Sequence, residues 1–183
     1  MNSRFLTFFA AGLLIVGSVQ AQCPPTLTNE KLHGILPVTN QAVTYTDVVD
    51  CGSASQADLF RRARLWLIQS SHSTNDVVSL SDKETGDLVG RMTQTVTLPR
   101  TEHSAGGLYT FRYSFIVECA NRKYRATLTQ ITLEEPGNAR STPIEWYCLK
   151  GDKDLQAIYA ELDKQLKNTL ARFQENVKNY KTF

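Results

Sequence analysis

Leu108-Tyr109-Thr110-Phe111-Arg112-Tyr113-Ser114-Phe115-Ile116-Val117-Glu118-Cys119 is the stretch on which the fold turns. Large apolar side chains take the odd positions Tyr109, Phe111, Tyr113, Phe115 and Val117, and Thr110, Arg112, Ser114 and Glu118 take the even ones. A period of two is that of a strand with one face on a core and the other in water. Such a strand needs neighbours on both sides. Downstream, Ala120-Asn121-Arg122-Lys123 is a turn leading into a second strand over 124–134. Upstream, a strand over 87–98 is closed by Pro99 and followed by a soft loop, 100–107, that carries His103. Before it, Asp82-Lys83-Glu84-Thr85-Gly86 is a hairpin turn, with glycine where a positive φ is required, and 76–81 is the strand that enters it. Four strands thus follow one another as an antiparallel meander.

A strand and two helices frame the meander. Residues 42–50 are β-branched and aromatic, with Val43 and Tyr45 alternating with threonines. Ser55, three residues before Asp58, has the spacing of a capping box. Leu59, Phe60, Ala63, Trp66 and Leu67 then form one helical face, with Arg61, Arg62 and Arg64 turned from it. The last element carries a stripe from Leu155 through Ile158, Leu162, Leu166, Leu170, Phe173 and Val177 to Tyr180. About 26 residues at 1.5 Å each make a helix about 39 Å long, twice the span of an ordinary strand of about 20 Å. It is therefore expected to cross a large sheet diagonally or to overhang it, exposing Phe173, Val177 and Tyr180. The fold class is α+β in the order β-α-β-β-β-β-α, an antiparallel five-stranded sheet with both helices on one face.

The chain begins with a different kind of segment. Arg4 is followed by an apolar run from Phe5 to Val19, no acid precedes Glu30, and Val19-Gln20-Ala21 is a small-residue cleavage site. The run is too short, and too broken by Gly17 and Ser18, to span a bilayer comfortably. Gln20-Ala21-Gln22 before Cys23 lacks the aliphatic and small neighbours that lipid attachment wants. The organisation expected is a signal peptide over 1–21, an extended lead-in over 22–41, with Pro24, Pro25, Gly34 and Pro37, and a single domain over 42–183. Export to the periplasm or beyond follows, with no transmembrane segment after cleavage.

The chain carries 20 Lys+Arg and 18 Asp+Glu. Near-neutrality argues against a nucleic-acid partner or a strong anionic-membrane footprint. Cys23, Cys51, Cys119 and Cys148 are even in number and none has CxxC spacing, which in an oxidising compartment points to two disulfides and away from zinc.

The order of elements and several phrases resemble a family of secreted bacterial domains of unknown function with a TATA-binding-protein-like fold. The phrases are Val48-Val49-Asp50 followed by Ser53 to Asp58, Asp58-Leu59-Phe60-Arg61-Arg62-Ala63-Arg64-Leu65-Trp66, Glu84-Thr85-Gly86, and Lys123-Tyr124-Arg125. The resemblance covers about residues 42–135 and implies a fold, not an activity; DNA binding is not carried over with the fold name. In such a sheet the first strand is expected to pair antiparallel with the last. Cys51 and Cys119 then share one end of the sheet and Cys23 and Cys148 the other, so the expected bridges are Cys51–Cys119 and Cys23–Cys148, among three connectivities that four cysteines allow.

No catalytic residue, metal ligand or cofactor site stands out. His33, His72 and His103 lie in apparent loops, and GxSxG, HExxH and Ser-x-x-Lys phrases are absent. The candidate binding face is the side of the sheet turned from the helices: Arg91, Thr93, Thr110, Arg112, Arg125 and Thr127 lie on it, and guanidinium forks among hydroxyls suit an anionic or hydrogen-bonding ligand. The leading expectation is a non-enzymatic binding or interaction module, its partner a protein or a small anionic ligand. The rivals are a hydrolase built from loops and a structural subunit of an envelope assembly, the latter self-associating through the C-terminal helix.

Overall fold

The computed structural model describes residues 26–70, 78–102, 104–134, 141–147 and 152–180. In chain order these form β1 (Leu27–Thr28), β2 (Lys31–Leu32), β3 (Leu36–Thr39), β4 (Ala42–Val43), β5 (Tyr45–Asp50), α1 (Gln56–Ser70), β6 (Val78–Asp82), β7 (Asp87–Leu98), β8 (Gly107–Ala120), β9 (Lys123–Glu134), β10 (Ser141–Pro143), a 3-10 turn (Ile144–Trp146) and α2 (Asp152–Lys178). The main sheet is antiparallel in the order β10-β9-β8-β7-β6, with β5 also on β9. β5 pairs with the first half of β9, Tyr45 opposite Leu128 and Asp50 opposite Lys123, whereas β10 pairs with its last residues, Pro143 opposite Thr132. The sheet therefore has six strands in place of five, because two short strands divide one edge of β9 between them.

The alternation read in β8 holds. Phe111, Phe115 and Val117 are fully buried, Tyr113 nearly so, and all face the helices. In β9 the phase changes once. Tyr124, Ala126 and Leu128 are buried, then Ile131 and Leu133. The switch falls at Gln130, whose φ of 55° marks the bulge where the register slips against β8. An extra residue lets both halves of the strand send their apolar side chains to the same face.

The segment before Val43 is not an extended lead-in. β1 to β4 form a small antiparallel sheet of their own. Its two-residue loops, Asn29-Glu30 and Asn40-Gln41, have positive φ at both positions, the geometry of tight hairpin turns that match strand twist. Leu32, Leu36 and Val43 are fully buried in the core shared with the main sheet, so this meander seals the end of the domain.

Both helices lie against the same face. Ser55 Oγ accepts the amide of Asp58 at 3.2 Å, the first half of the expected cap. The Asp58 carboxylate turns instead to Arg62 and Arg61, at 2.5 and 3.5 Å. Arg62 does not point into solvent: it also donates to the Val177 carbonyl at 2.9 Å and ties α1 to the end of α2. The overhang of α2 does not occur either. Phe173 and Val177 are buried, since β7 and β8, with 12 and 14 residues, run about 40 Å or more at 3.3 Å per residue. The strands match the helix in length.

Gly86 sits in the β6–β7 turn at φ 85°, where an added Cβ would lie 2.3 Å from the Cys119 carbonyl oxygen, while around Gly34, at φ 73°, nothing lies within 4 Å. Gly86→Ala is expected to destabilise the fold by more than about 2 kcal/mol and Gly34→Ala by about 1 kcal/mol, the cost of the left-handed backbone alone. Urea melts of the two variants check the difference.

Candidate functional site

The open face of the sheet is where the sequence places it. Arg91, Thr93, Arg112 and Arg125 are exposed, Thr110 and Thr127 half-buried. Register brings them into rows: Arg91 lies opposite Ser114, Thr93 opposite Arg112, and Thr110 opposite Thr95 on one side and Glu134 on the other. Hydroxyls link neighbouring strands, Thr46 to Thr127 at 3.4 Å and Thr44 to Thr129 at 3.2 Å, and Ser114 donates to Gln130 Oε1 at 2.8 Å.

Two of the three arginines are already answered. Arg125 donates from Nε and Nη2 to the two carboxylate oxygens of Glu118, at 2.6 and 2.5 Å. This forked hydrogen bond holds the Glu118 carboxyl below its ordinary range. Arg112 forms an ion pair with Glu134. Arg91 has no acidic partner among the described residues. The face is thus charge-balanced along most of its length, which sequence alone did not reveal, because the pairing depends on cross-strand register. Between the pairs lie Val89 and, opposite it, Ile116, in a row that continues to Thr127 and Thr46; Val48, 62% exposed, lies in the neighbouring row, beyond Arg125 on the edge strand β5.

Of the four cysteines, Cys23 and Cys148 lie outside the described residues. Cys51 and Cys119 are free thiols. Both flank Tyr124 at the turn end of β9: Tyr124 pairs with Cys119 on one side and with Val49 on the other, and the Cys51 amide donates to the Arg122 carbonyl at 2.6 Å. The Tyr124 hydroxyl is buried there without a hydrogen-bond partner. Burial, reinforced by Cys51 and Asp87, pushes the Cys119 thiol up to about 12. Burial also raises Cys51, but Lys178 and Arg62 oppose it.

The histidines do not converge with these thiols among the described residues. His33 packs edge-on against Tyr159, ring centres 5.6 Å apart; His72 and His103 lie outside the described residues. A cleft of about 540 Å³ opens between the end of β7 and α2, with Thr95, Thr97, Ser104, Asp154 and Glu161 in its walls. Among the described residues no group of three or more His, Cys, Asp or Glu side chains has metal-binding geometry, and no described helix is long and apolar enough to cross a membrane.

A strand, a helix, a four-stranded meander and a long closing helix, with both helices on one face, define an α+β protein of the TBP-like fold. Residues 45–134 match the family model of the domain of unknown function DUF4468 with TBP-like fold. Two solved structures are similar: a TBP-like protein from Parabacteroides distasonis, 19% identical with a TM-score of 0.62 over 80% of this chain and 99% of that one, and a DUF4468 family protein from Bacteroides ovatus, 13% identical with a TM-score of 0.61 over 79% and 93%. These likenesses establish the fold alone. No curated protein matches the chain.

In the reduced protein, Cys51 is expected to alkylate at least ten-fold faster than Cys119 at pH 8, since the thiolate is the nucleophile and Cys119 is held protonated. Mass spectrometry of the labelled peptides reads the two rates, and equal rates would contradict the burial of Cys119. The raised Cys119 value favours the folded state fully below an ordinary thiol value of about 9, and that contribution is lost as pH rises from there toward about 12.

Proposed function

We propose that this protein is an exported, non-enzymatic interaction module that docks a partner protein on the open face of its sheet. The observation that carries the reading is the size and make-up of that face. Three long strands and their edge neighbours, spaced about 4.8 Å apart and about 40 Å long, give on the order of 800 Å², the area each partner contributes to a standard interface. An apolar pair, Val89 and Ile116, lies among threonines and arginines, and arginine is a residue that interfaces favour. Neutralisation of Arg112 by Glu134 and of Arg125 by Glu118 favours a polar protein surface over a small anion, which would have to compete with a carboxylate already in place.

Export rests on the leader: Arg4, the apolar run to Val19 and the small residues up to Ala21. Expressed with its leader in a bacterial host, the chain is expected in the periplasmic fraction with Gln22 at its N-terminus, read by intact mass. In that oxidising compartment the cysteines are proposed to pair as Cys51–Cys119 and Cys23–Cys148, which the same mass measurement reads as the loss of four hydrogens.

A photo-crosslinking residue at Thr93 or Thr127 is expected to trap a discrete protein in cells that express the chain natively, and one at Gln69 on α1 is not. Ile116→Asp, added to the Thr127 probe, is expected to abolish the crosslink. Persistence of the product in that variant, or equal products from Gln69, would contradict the assignment to this face. Arg112→Ala alone is expected to shift stability by less than about 1 kcal/mol, as for an exposed ion pair.

A further inference from the structure

α1 carries a second surface besides the one it buries. Ala57, Phe60, Arg61, Arg64 and Ile68 recur at three- and four-residue steps along it and, with Leu65 of the same helix and Lys83 of the β6–β7 turn, line an open hollow of about 270 Å³. Its floor is apolar: Phe60 is 8% exposed and Ile68, at the mouth, is 49% exposed. Its rim is cationic, with Arg61, Arg64 and Lys83 all exposed.

The charge state of this rim sets it apart from the sheet face. Arg61 reaches Asp58 only at 3.5 Å, and that carboxylate is already held by Arg62 at 2.5 Å. The Arg61 guanidinium lies over the Tyr180 ring at 5.4 Å from its centre, which fixes the cation without neutralising it. Neither Arg64 nor Lys83 is in an ion pair with a described residue. An apolar hollow beneath two cations without ion-pair partners, Arg64 and Lys83, and a third, Arg61, that shares the Asp58 carboxylate with Arg62 is complementary to a molecule with an apolar tail and an anionic head. A volume near the lower end for small-molecule sites, about 300–1,000 Å³, has room for one chain and not for two.

We infer that this cavity binds a single-chain anionic amphiphile of fatty-acid type, with its chain on Phe60, Leu65 and Ile68 and its carboxylate among Arg61, Arg64 and Lys83. The site is separate from the sheet face, so its failure would leave the docking proposal untouched.

The test is titration of the protein recovered from expression of the full chain with decanoate below its micelle concentration, followed by calorimetry and by backbone amide shifts. Saturable one-to-one binding is expected, with shifts confined to residues 57–68 and the Lys83 turn. Octanoate is expected to bind about fifteen-fold more weakly, since it lacks two methylenes and each one removed costs about four-fold. Arg64→Glu with Lys83→Glu, and separately Ile68→Ser, should each weaken decanoate at least ten-fold while the melting temperature stays unchanged. Absence of saturable binding, shifts that map elsewhere, or unchanged affinity in both variants overturns the inference. So does equal binding of neutral decyl maltoside, the same shifts from inorganic phosphate alone, or binding only to vesicles of anionic phospholipid.

Discussion

Four rings hold this domain together. Phe173 of α2 sits at the centre, 5.0 Å from Trp66 of α1, 4.9 Å from Phe115 of β8 and 5.2 Å from Tyr124 of β9, each at a steep angle. Trp66 closes the group against Phe115 at 5.4 Å. Tilted and edge-to-face contacts of this kind add to the burial of large apolar area and fix the mutual orientation of the elements that carry them. One contact group thus sets where both helices lie on the sheet. The rest follows from it: the aromatic side chains of β8 and β9 are committed to this face, and mostly polar and charged residues, with Ile116 among them, remain for the other.

Much of the architecture was legible because the aromatic alternation in β8 is long and unbroken. Tyr109 to Val117 leaves only one way to face a core, the turn at Gly86 fixes the hairpin before it, and β7 begins and ends where the sequence reading has it, from Asp87 to Leu98. Three features were not legible, each for a physical reason. The N-terminal meander turns through Asn29-Glu30 and Asn40-Gln41, pairs that contain no glycine yet adopt positive φ at both positions, and composition gives little warning of such turns. The bulge at Gln130 reverses the phase of β9, and a strict two-residue period would have turned Ile131 and Leu133 outward. The end of α2 looked like an overhang because an average strand length was assumed, whereas the actual strands are as long as the helix.

The candidate surface was legible in residue type and not in electrostatics. Arg91, Arg112 and Arg125 are on the open face as the alternation requires, but the partners Glu134 and Glu118 sit on adjacent strands, and only the register brings each carboxylate to its guanidinium. Arg91 on this face, and Arg64 and Lys83 on the outer side of α1 and the adjoining turn, have no ion-pair partner among the described residues; from sequence Arg64 was legible only as turned away from the buried stripe of α1. The protein thus presents a broad sheet face on which two of three arginines are paired, and a small, apolar-floored hollow with a cationic rim.

The ring cluster makes α1, α2 and the long strands one cooperative unit. Trp66 is 7% exposed within it, whereas Trp146, the other tryptophan, is 48% exposed. In a Trp146→Phe variant Trp66 alone reports on the cluster. Its emission is expected to be that of a buried indole, and its urea transition to coincide with the loss of far-UV circular dichroism, as a single cooperative unfolding requires. A solvent-like emission in the native protein, or a fluorescence transition completed at lower urea than the loss of secondary structure, would contradict the account.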